Sequence, residues 1–138
     1  MSNVIPFPAE YGQQHHVLIV DDEPAIRAVL GEYLRECGFH THLAGDAAEA
    51  IALITTGAAI DLIFSDVRMP GALDGYGLAH WIMDNRPDLP IILATGDLGK
   101  ANAAAQICTI ECLPKPYDFD VAARTIRETI ARHRQKRA

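Results

Sequence analysis

LIFSDVRMP, residues 62–70, places core-grade apolar residues directly before an aspartate, with an arginine two positions further on. Leu62, Ile63 and Phe64 read as a buried strand. A short apolar run bounded by turn residues, here Gly57 before and Pro70 and Gly71 after, suits a sheet covered on both faces. Asp66 then stands at the strand's exit. One aspartate between strand and loop is commonly a solubilising residue, so its meaning depends on what the other strand exits carry.

Upstream, residues 17–20 form an apolar strand followed at once by DDEP, with Pro24 suited to the first turn of a helix. Ile26, Val29, Leu30, Tyr33, Leu34 and Cys37 recur at helical spacing until Gly38. A weaker strand over 39–43 leads to Asp46 and Glu49, a capping-box pair, and to a helix with Ala47, Ala50, Ile51 and Ile54 inward, ended by Gly57. Downstream of Asp66 the loop PGALDGYG precedes a helix with Leu78, Ile82 and Met83 inward, closed by Pro87. Pro90 introduces IILAT, a fourth strand leaving at Thr95 and Gly96. An alanine-rich fourth helix is predicted over 98–106 and a short fifth strand over 109–113, ending in PKP. Phe119, Ala122, Ala123, Ile126 and Ile130 line a last helix. This alternation specifies an α/β fold, a five-stranded open parallel sheet with helices on both faces. Residues 1–14 read as a flexible N-terminal arm, 15–134 as the domain and 135–138 as a basic tail.

The chain has 138 residues, enough for one domain with a real core, and 49% of them are hydrophobic, which argues against disorder. Its net charge of -6 disfavours nucleic acid as a partner, although Arg124, Arg127, Arg132, Arg134, Lys136 and Arg137 concentrate positive charge near the C-terminus. Cations there suit the negative end of a helix dipole. Three cysteines without a CxxC, and with no zinc-finger spacing around Cys108 and Cys112, fit a reducing cytoplasm. The six histidines read as scattered, with His40 and His42 at alternate positions of a short strand. No apolar run approaches the roughly 20 residues of a membrane span. The first 14 residues lack a basic residue and carry Pro6 and Pro8, unlike a signal peptide.

In open parallel sheets ligands bind beyond the carboxyl ends of the strands. Those ends carry Asp21 and Asp22, Asp66, Thr95 and Lys115. Taken singly, each has a plainer explanation: Asp22 favours a helix start, Thr95 caps a helix, Lys115 is a surface charge. Together they describe a site. Three crowded carboxylates are held most easily around a cation, and hard oxygen ligands suit Mg²⁺ or Mn²⁺. Such an ion would screen an incoming phosphoryl group while Lys115 pairs with one of its oxygens and the Thr95 hydroxyl donates to another; the small Gly96 keeps the approach open.

VDDEP, SDVRMP, ATG and LPKP, in this order, resemble the receiver domain of two-component response regulators, over about residues 16–133 and with the flavodoxin-like (βα)5 fold of that family. The resemblance implies that Asp66 accepts a phosphoryl group from a histidine kinase or histidine phosphotransfer protein. It implies that Asp22 ligates Mg²⁺ directly, with Asp66 and the Arg68 backbone carbonyl as further ligands and Asp21 assisting, often through water. Thr95 would swing toward the phosphoryl group, Lys115 would bind it, and a cis Lys115–Pro116 bond would aim the lysine. Arg68 and Asp97, each two residues past a site residue, would modulate the lifetime of the phosphorylated state. One position departs from the family: its usual aromatic switch residue is here Cys112, and Tyr117 is the aromatic available to replace it.

A haloacid-dehalogenase-type phosphatase would require a second aspartate where Arg68 stands. A flavodoxin would place a Ser/Thr/Gly phosphate loop where DDEP stands. The 23 residues after Lys115 suffice for one helix and a tail, so the reading is a stand-alone receiver without a DNA-binding output domain. The downstream protein target, the choice among effector, relay intermediate and phosphate sink, and a homodimer through the fourth helix, fifth strand and fifth helix stay open at this level.

Overall fold

A computed structural model describes residues 15–96 and 110–137. The described elements are β1 (His16–Val20), α1 (Pro24–Glu36), β2 (His40–Ala44), α2 (Ala47–Thr55), β3 (Leu62–Asp66), α3 (Gly75–Asn85), β4 (Ile91–Thr95), β5 (Glu111–Pro114) and a C-terminal helix (Phe119–Arg137). The predicted arm and fourth helix lie outside the described residues. All strand pairs are parallel, in the order β2–β1–β3–β4–β5. The chain moves outward from β1 to β2 and then returns past β1 to β3, so the connections diverge beside β1 and leave a crevice at the strand ends.

Alternation along each strand divides the core in two. Val17, Ile19, Leu62, Phe64, Ile92 and Ala94 pack with buried residues of α1 and the C-terminal helix. Leu18, Val20, Ile63, Ile91 and Leu93 pack with those of α2 and α3. Both faces of the central strands are covered, which is why their sequences are continuously apolar rather than alternating.

The helix boundaries follow from local chemistry. α1 starts with Pro24, and its end is closed by Gly38, whose φ of 98° is a backbone state glycine reaches without strain. The N–H of Gly38 bonds to Arg35 O and that of Phe39 to Leu34 O, both at 3.0 Å, satisfying carbonyls the helix leaves unpaired. α2 is capped by Asp46 Oδ1, which accepts the Glu49 N–H at 2.9 Å. Glu49 reaches back one residue further than a standard capping box, accepting the Gly45 N–H at 2.7 Å. Asp74 caps α3 by accepting the Gly77 N–H at 2.9 Å.

Three residues expected inside are at the surface: Ile26 is 38% exposed, Val29 57% and Met83 41%. In α1 the buried stripe is Leu30, Gly31 and Leu34. Val29 lies about 100° around the helix from Leu30, and Gly31 draws the helix close enough that a Cβ there would sit 3.2 Å from Leu43 Cδ2. That approach fixes the rotation of α1 and turns Val29 outward. In α3 the buried positions are Gly75, Leu78, Ala79 and Ile82, which places Met83 at the margin of the stripe. The fifth strand starts later than expected, at Glu111.

The closest backbone approach is at Gly75. A Cβ there would lie 2.5 Å from Asp66 O and 2.7 Å from Val67 Cα, while the Gly75 N–H bonds to Val67 O at 2.8 Å. Only a residue without a side chain lets α3 begin against the exit of β3. Gly75→Ala is expected to destabilise the protein by about 1–3 kcal/mol, as overpacking against rigid backbone does. Urea unfolding checks this; an unchanged midpoint would remove the steric argument.

Candidate functional site

The carboxyl ends of the strands are tied together by backbone hydrogen bonds that extend the ladder past the last paired residues. Asp21 N–H donates to Ala44 O at 3.1 Å, Val67 N–H to Ala94 O at 3.3 Å, and Lys115 N–H to Thr95 O at 2.8 Å. Asp21 is pinned further. Its Oδ1 accepts the Glu23 N–H at 2.9 Å, and its carbonyl accepts from Arg27 Nη1 at 2.6 Å, a contact from α1 that the sequence reading did not include.

On this frame the side chains of Asp21, Asp22 and Asp66 bring one carboxylate oxygen each within 4.8 Å of the others. Lys115 Nζ lies 2.8 Å from Asp66 Oδ1, with side-chain exposures of 38% and 10% respectively, so Asp66 is largely enclosed while still lining the cleft. The Lys115–Pro116 bond is cis. Thr95 is buried at the end of β4. The cleft holds about 490 Å³ and is lined by Asp22, Asp66, Arg68, Thr95, Gly96 and Lys115, among others. A Cβ on Gly96 would meet no atom of the described residues within 4 Å, so a glycine there keeps space free for a ligand rather than permitting close packing. Asp97 lies outside the described residues.

A second groove, of about 580 Å³, lies beside β4 and β5 at their other ends. Two of its charged groups, Glu111 and Arg132, pair with each other at 3.1 Å. The convergent carboxylates are in the smaller cleft, and the chemistry is there.

Burial pushes the Asp21 carboxyl above its ordinary value, and the charges of Asp66 and Asp22 push the same way; the Glu23 N–H and Lys115 oppose the shift. One ammonium therefore serves three carboxylates. The donor set, three carboxylates with oxygens within 4.8 Å of one another, fits a hard divalent cation that takes oxygen ligands.

The two residues tied to the switch position lie on different faces. Cys112 packs against the α2 and α3 side of the core, and its Sγ lies 3.9 Å from Ile110 O. Tyr117 packs on the opposite side, edge-on to Phe64 with ring centroids 5.5 Å apart. Its phenol is pushed up to about 12, by burial first and then by Asp21 and Asp66. The site thus acts electrostatically on a half-buried tyrosine, which sequence spacing alone could not reveal.

The family model described as the response regulator receiver domain matches residues 17–127. The chain belongs to this family. The receiver is 33% identical over 126 residues to the DNA-binding transcriptional regulator NtrC of Escherichia coli K12, an alignment covering 90% of this chain and 26% of NtrC. It thus spans about a quarter of the length of that relative. Among solved structures it resembles NtrX from Brucella abortus, with a TM-score of 0.82, 29% identity and coverage of 91% of this chain and 28% of that one. It also resembles the response regulator protein TrrA from Thermotoga maritima, solved in complex with Mg(2+)-BeF, with a TM-score of 0.73, 30% identity and coverage of 83% and 98%. Among the described residues no helix is long and apolar enough to cross a membrane.

The charges of the receiver's cleft have three measurable consequences. Mg²⁺ at 100 times its dissociation constant should stabilise the folded state by about 2.7 kcal/mol, and Asp21→Asn should stabilise the metal-free protein. A raised carboxyl value means the burden of ionised Asp21 is fully present above that value and fades as pH falls toward the ordinary 3.8, so the advantage of Asn shrinks on acidification. Thermal melts with and without Mg²⁺ test both statements. For Tyr117 the sign runs the other way along the pH axis. Its stabilising contribution is complete below the ordinary 10.0 and is lost as pH rises toward about 12, so Tyr117→Phe should lose less stability across that alkaline window, as measured by denaturant midpoints.

Proposed function

We propose that this receiver is a phosphoacceptor of a two-component or phosphorelay pathway, in which Asp66 takes a phosphoryl group from a phosphohistidine on a histidine kinase or a histidine phosphotransfer protein. The observation that carries this reading is the placement of Lys115 Nζ 2.8 Å from Asp66 Oδ1, beside two further carboxylates and at the mouth of an open cleft. An oxygen of Asp66 attacks phosphorus in line with the histidine nitrogen. The O–P bond forms as the N–P bond breaks, and the imidazole leaves with the bonding pair and takes up a proton.

Asp22 and Asp66, with the backbone carbonyl of Arg68, would hold Mg²⁺ or Mn²⁺ directly, and Asp21 through water. The ion when bound supplies positive charge to the phosphoryl oxygens. The TrrA complex with Mg(2+)-BeF supports this assignment. The Lys115 ammonium shifts its ion pair from Asp66 to a phosphoryl oxygen, and the Thr95 hydroxyl donates to another, while Gly96 leaves the group room. The same residues orient a water that later hydrolyses the acyl phosphate, with Arg68 at the cleft shielding its line of approach. This is self-limiting signalling chemistry rather than turnover of an external substrate.

Output is proposed to pass through protein contacts in the cytoplasm, consistent with the net charge of -6. As an effector, the receiver would pair with a second copy through the face containing β5 and the C-terminal helix. The placement of Cys112 and Tyr117 on opposite faces favours a second reading, a relay intermediate or phosphate sink, since the aromatic is not on the face where the family's switch residue stands. Passage of label from Asp66 to a phosphotransfer protein separates relay from effector. Acetyl phosphate or a cognate kinase should label the wild type only with a divalent metal present, and Asp66→Asn should take no label; equal labelling of that variant would refute the site assignment.

A further inference from the structure

We propose that His16, His40 and His42, at the amino ends of β1 and β2, form a second metal site for a borderline divalent ion such as Zn²⁺, Ni²⁺ or Cu²⁺, distinct from the acidic cleft. The residues read as scattered in the sequence, and the parallel register of the two strands gathers them. It sets His16 beside His40 and Leu18 beside His42. Residues two apart on a strand share a face, so all three rings project from the side of the sheet that Leu18 and Ala44 occupy.

The rings touch. His16 Nδ1 and His42 Nε2 are 3.0 Å apart, with ring centroids at 5.2 Å, and His40 stacks on His16 at 4.6 Å between centroids with planes 10° apart. Two imidazole nitrogens at this separation can share a proton or a metal ion. With bonds of about 2.05 Å, ligands at right angles stand about 2.9 Å apart and tetrahedral ones about 3.3 Å. The observed spacing falls between these values, so binding asks for a turn of the rings and no movement of the strands. As placed, the three rings do not converge on one point. His40 is exposed, and as a third ligand it would leave its stack on His16 and turn a nitrogen toward the pair, with water completing the shell.

Asp61, at the entry to β3, accepts the backbone N–H of His16 on Oδ2 at 2.7 Å, which fixes the start of β1 beside β3. Imidazole takes late first-row ions, whereas Mg²⁺ keeps to oxygen. The strands are five residues long, roughly 16 Å at about 3.3 Å per residue, which leaves the two sites without a shared ligand. The sheet thus offers hard oxygen donors at one end and borderline nitrogen donors at the other.

The test uses the full chain in enough Mg²⁺ to fill the acidic cleft. Calorimetric titration with Zn²⁺ should show one ion per chain. His16→Gln and His42→Gln should each weaken binding by at least about tenfold, the loss that even outer-shell changes cause, and His80→Gln should leave it unchanged. Substoichiometric Cu²⁺ should broaden the ring-proton signals of His16, His40 and His42 before those of His80 and His133. Should His16→Gln fail to fold, His40→Gln alters an exposed ring and must still weaken Zn²⁺ binding. Affinity indifferent to the β1 and β2 substitutions, equal broadening of all histidines, or Cu²⁺ acting first on amides around Asp21 and Asp66 would overturn the proposal.

Discussion

The contact between Lys115 and Asp66 joins residues 49 positions apart and spans a whole strand. β4 lies between β3 and β5, so the lysine must cross the end of Thr95's strand to reach the aspartate. Adjacent strands are about 4.8 Å apart, and the crossing is therefore roughly twice that. An extended lysine side chain covers most of this distance only if the three strands end level with one another. Register is thus the condition on which the site depends: a slip of one residue in β4 or β5 would turn Thr95 into the core or leave Lys115 short. The ladder bonds that continue beyond the strands, from Lys115 N–H to Thr95 O and from Val67 N–H to Ala94 O, hold that level.

Stability and chemistry pull against each other at these strand ends. The core would be better served by apolar residues at positions 21 and 66, where burial already works against the ionised Asp21. Their retention is offset by bonds directed at the backbone rather than at the acids alone: Arg27 to the Asp21 carbonyl, and Gly75 to the Val67 carbonyl. The acidic groups remain crowded while the chain carrying them is fixed, an arrangement pre-organised for a cation at little cost in reordering.

Much of this was legible in the sequence, and the limits are physical. Strand exits could be read because buried parallel strands are mostly apolar, so the polar residue that ends the run marks the boundary; Asp21, Asp66 and Thr95 all stand at such boundaries, with the buried Ser65 the one polar residue inside β3. Helix ends were legible from Gly38, Gly57 and Asp46, whose roles are local. What failed was whatever depends on how one element lies upon another. Val29 fits the helical period, but its exposure follows from Gly31 meeting β2. Gly75 looked like part of a loop because its constraint comes from the backbone of a different element. The side of the sheet taken by Tyr117, and the meeting of His16 with His42, require a register that no single segment encodes.

Among the described glycines, two opposite constraints leave different evolutionary freedom. Gly57 and Gly71 adopt positive φ with nothing near their absent side chains, so descendants can exchange them for asparagine, which tolerates that conformation. Gly75 has the opposite constraint: its environment is full, and its site accepts no side chain of any type. Drift among related sequences should therefore erase the first two while leaving the third, and an absent side chain becomes as strong a marker of the functional end of the sheet as the carboxylates themselves.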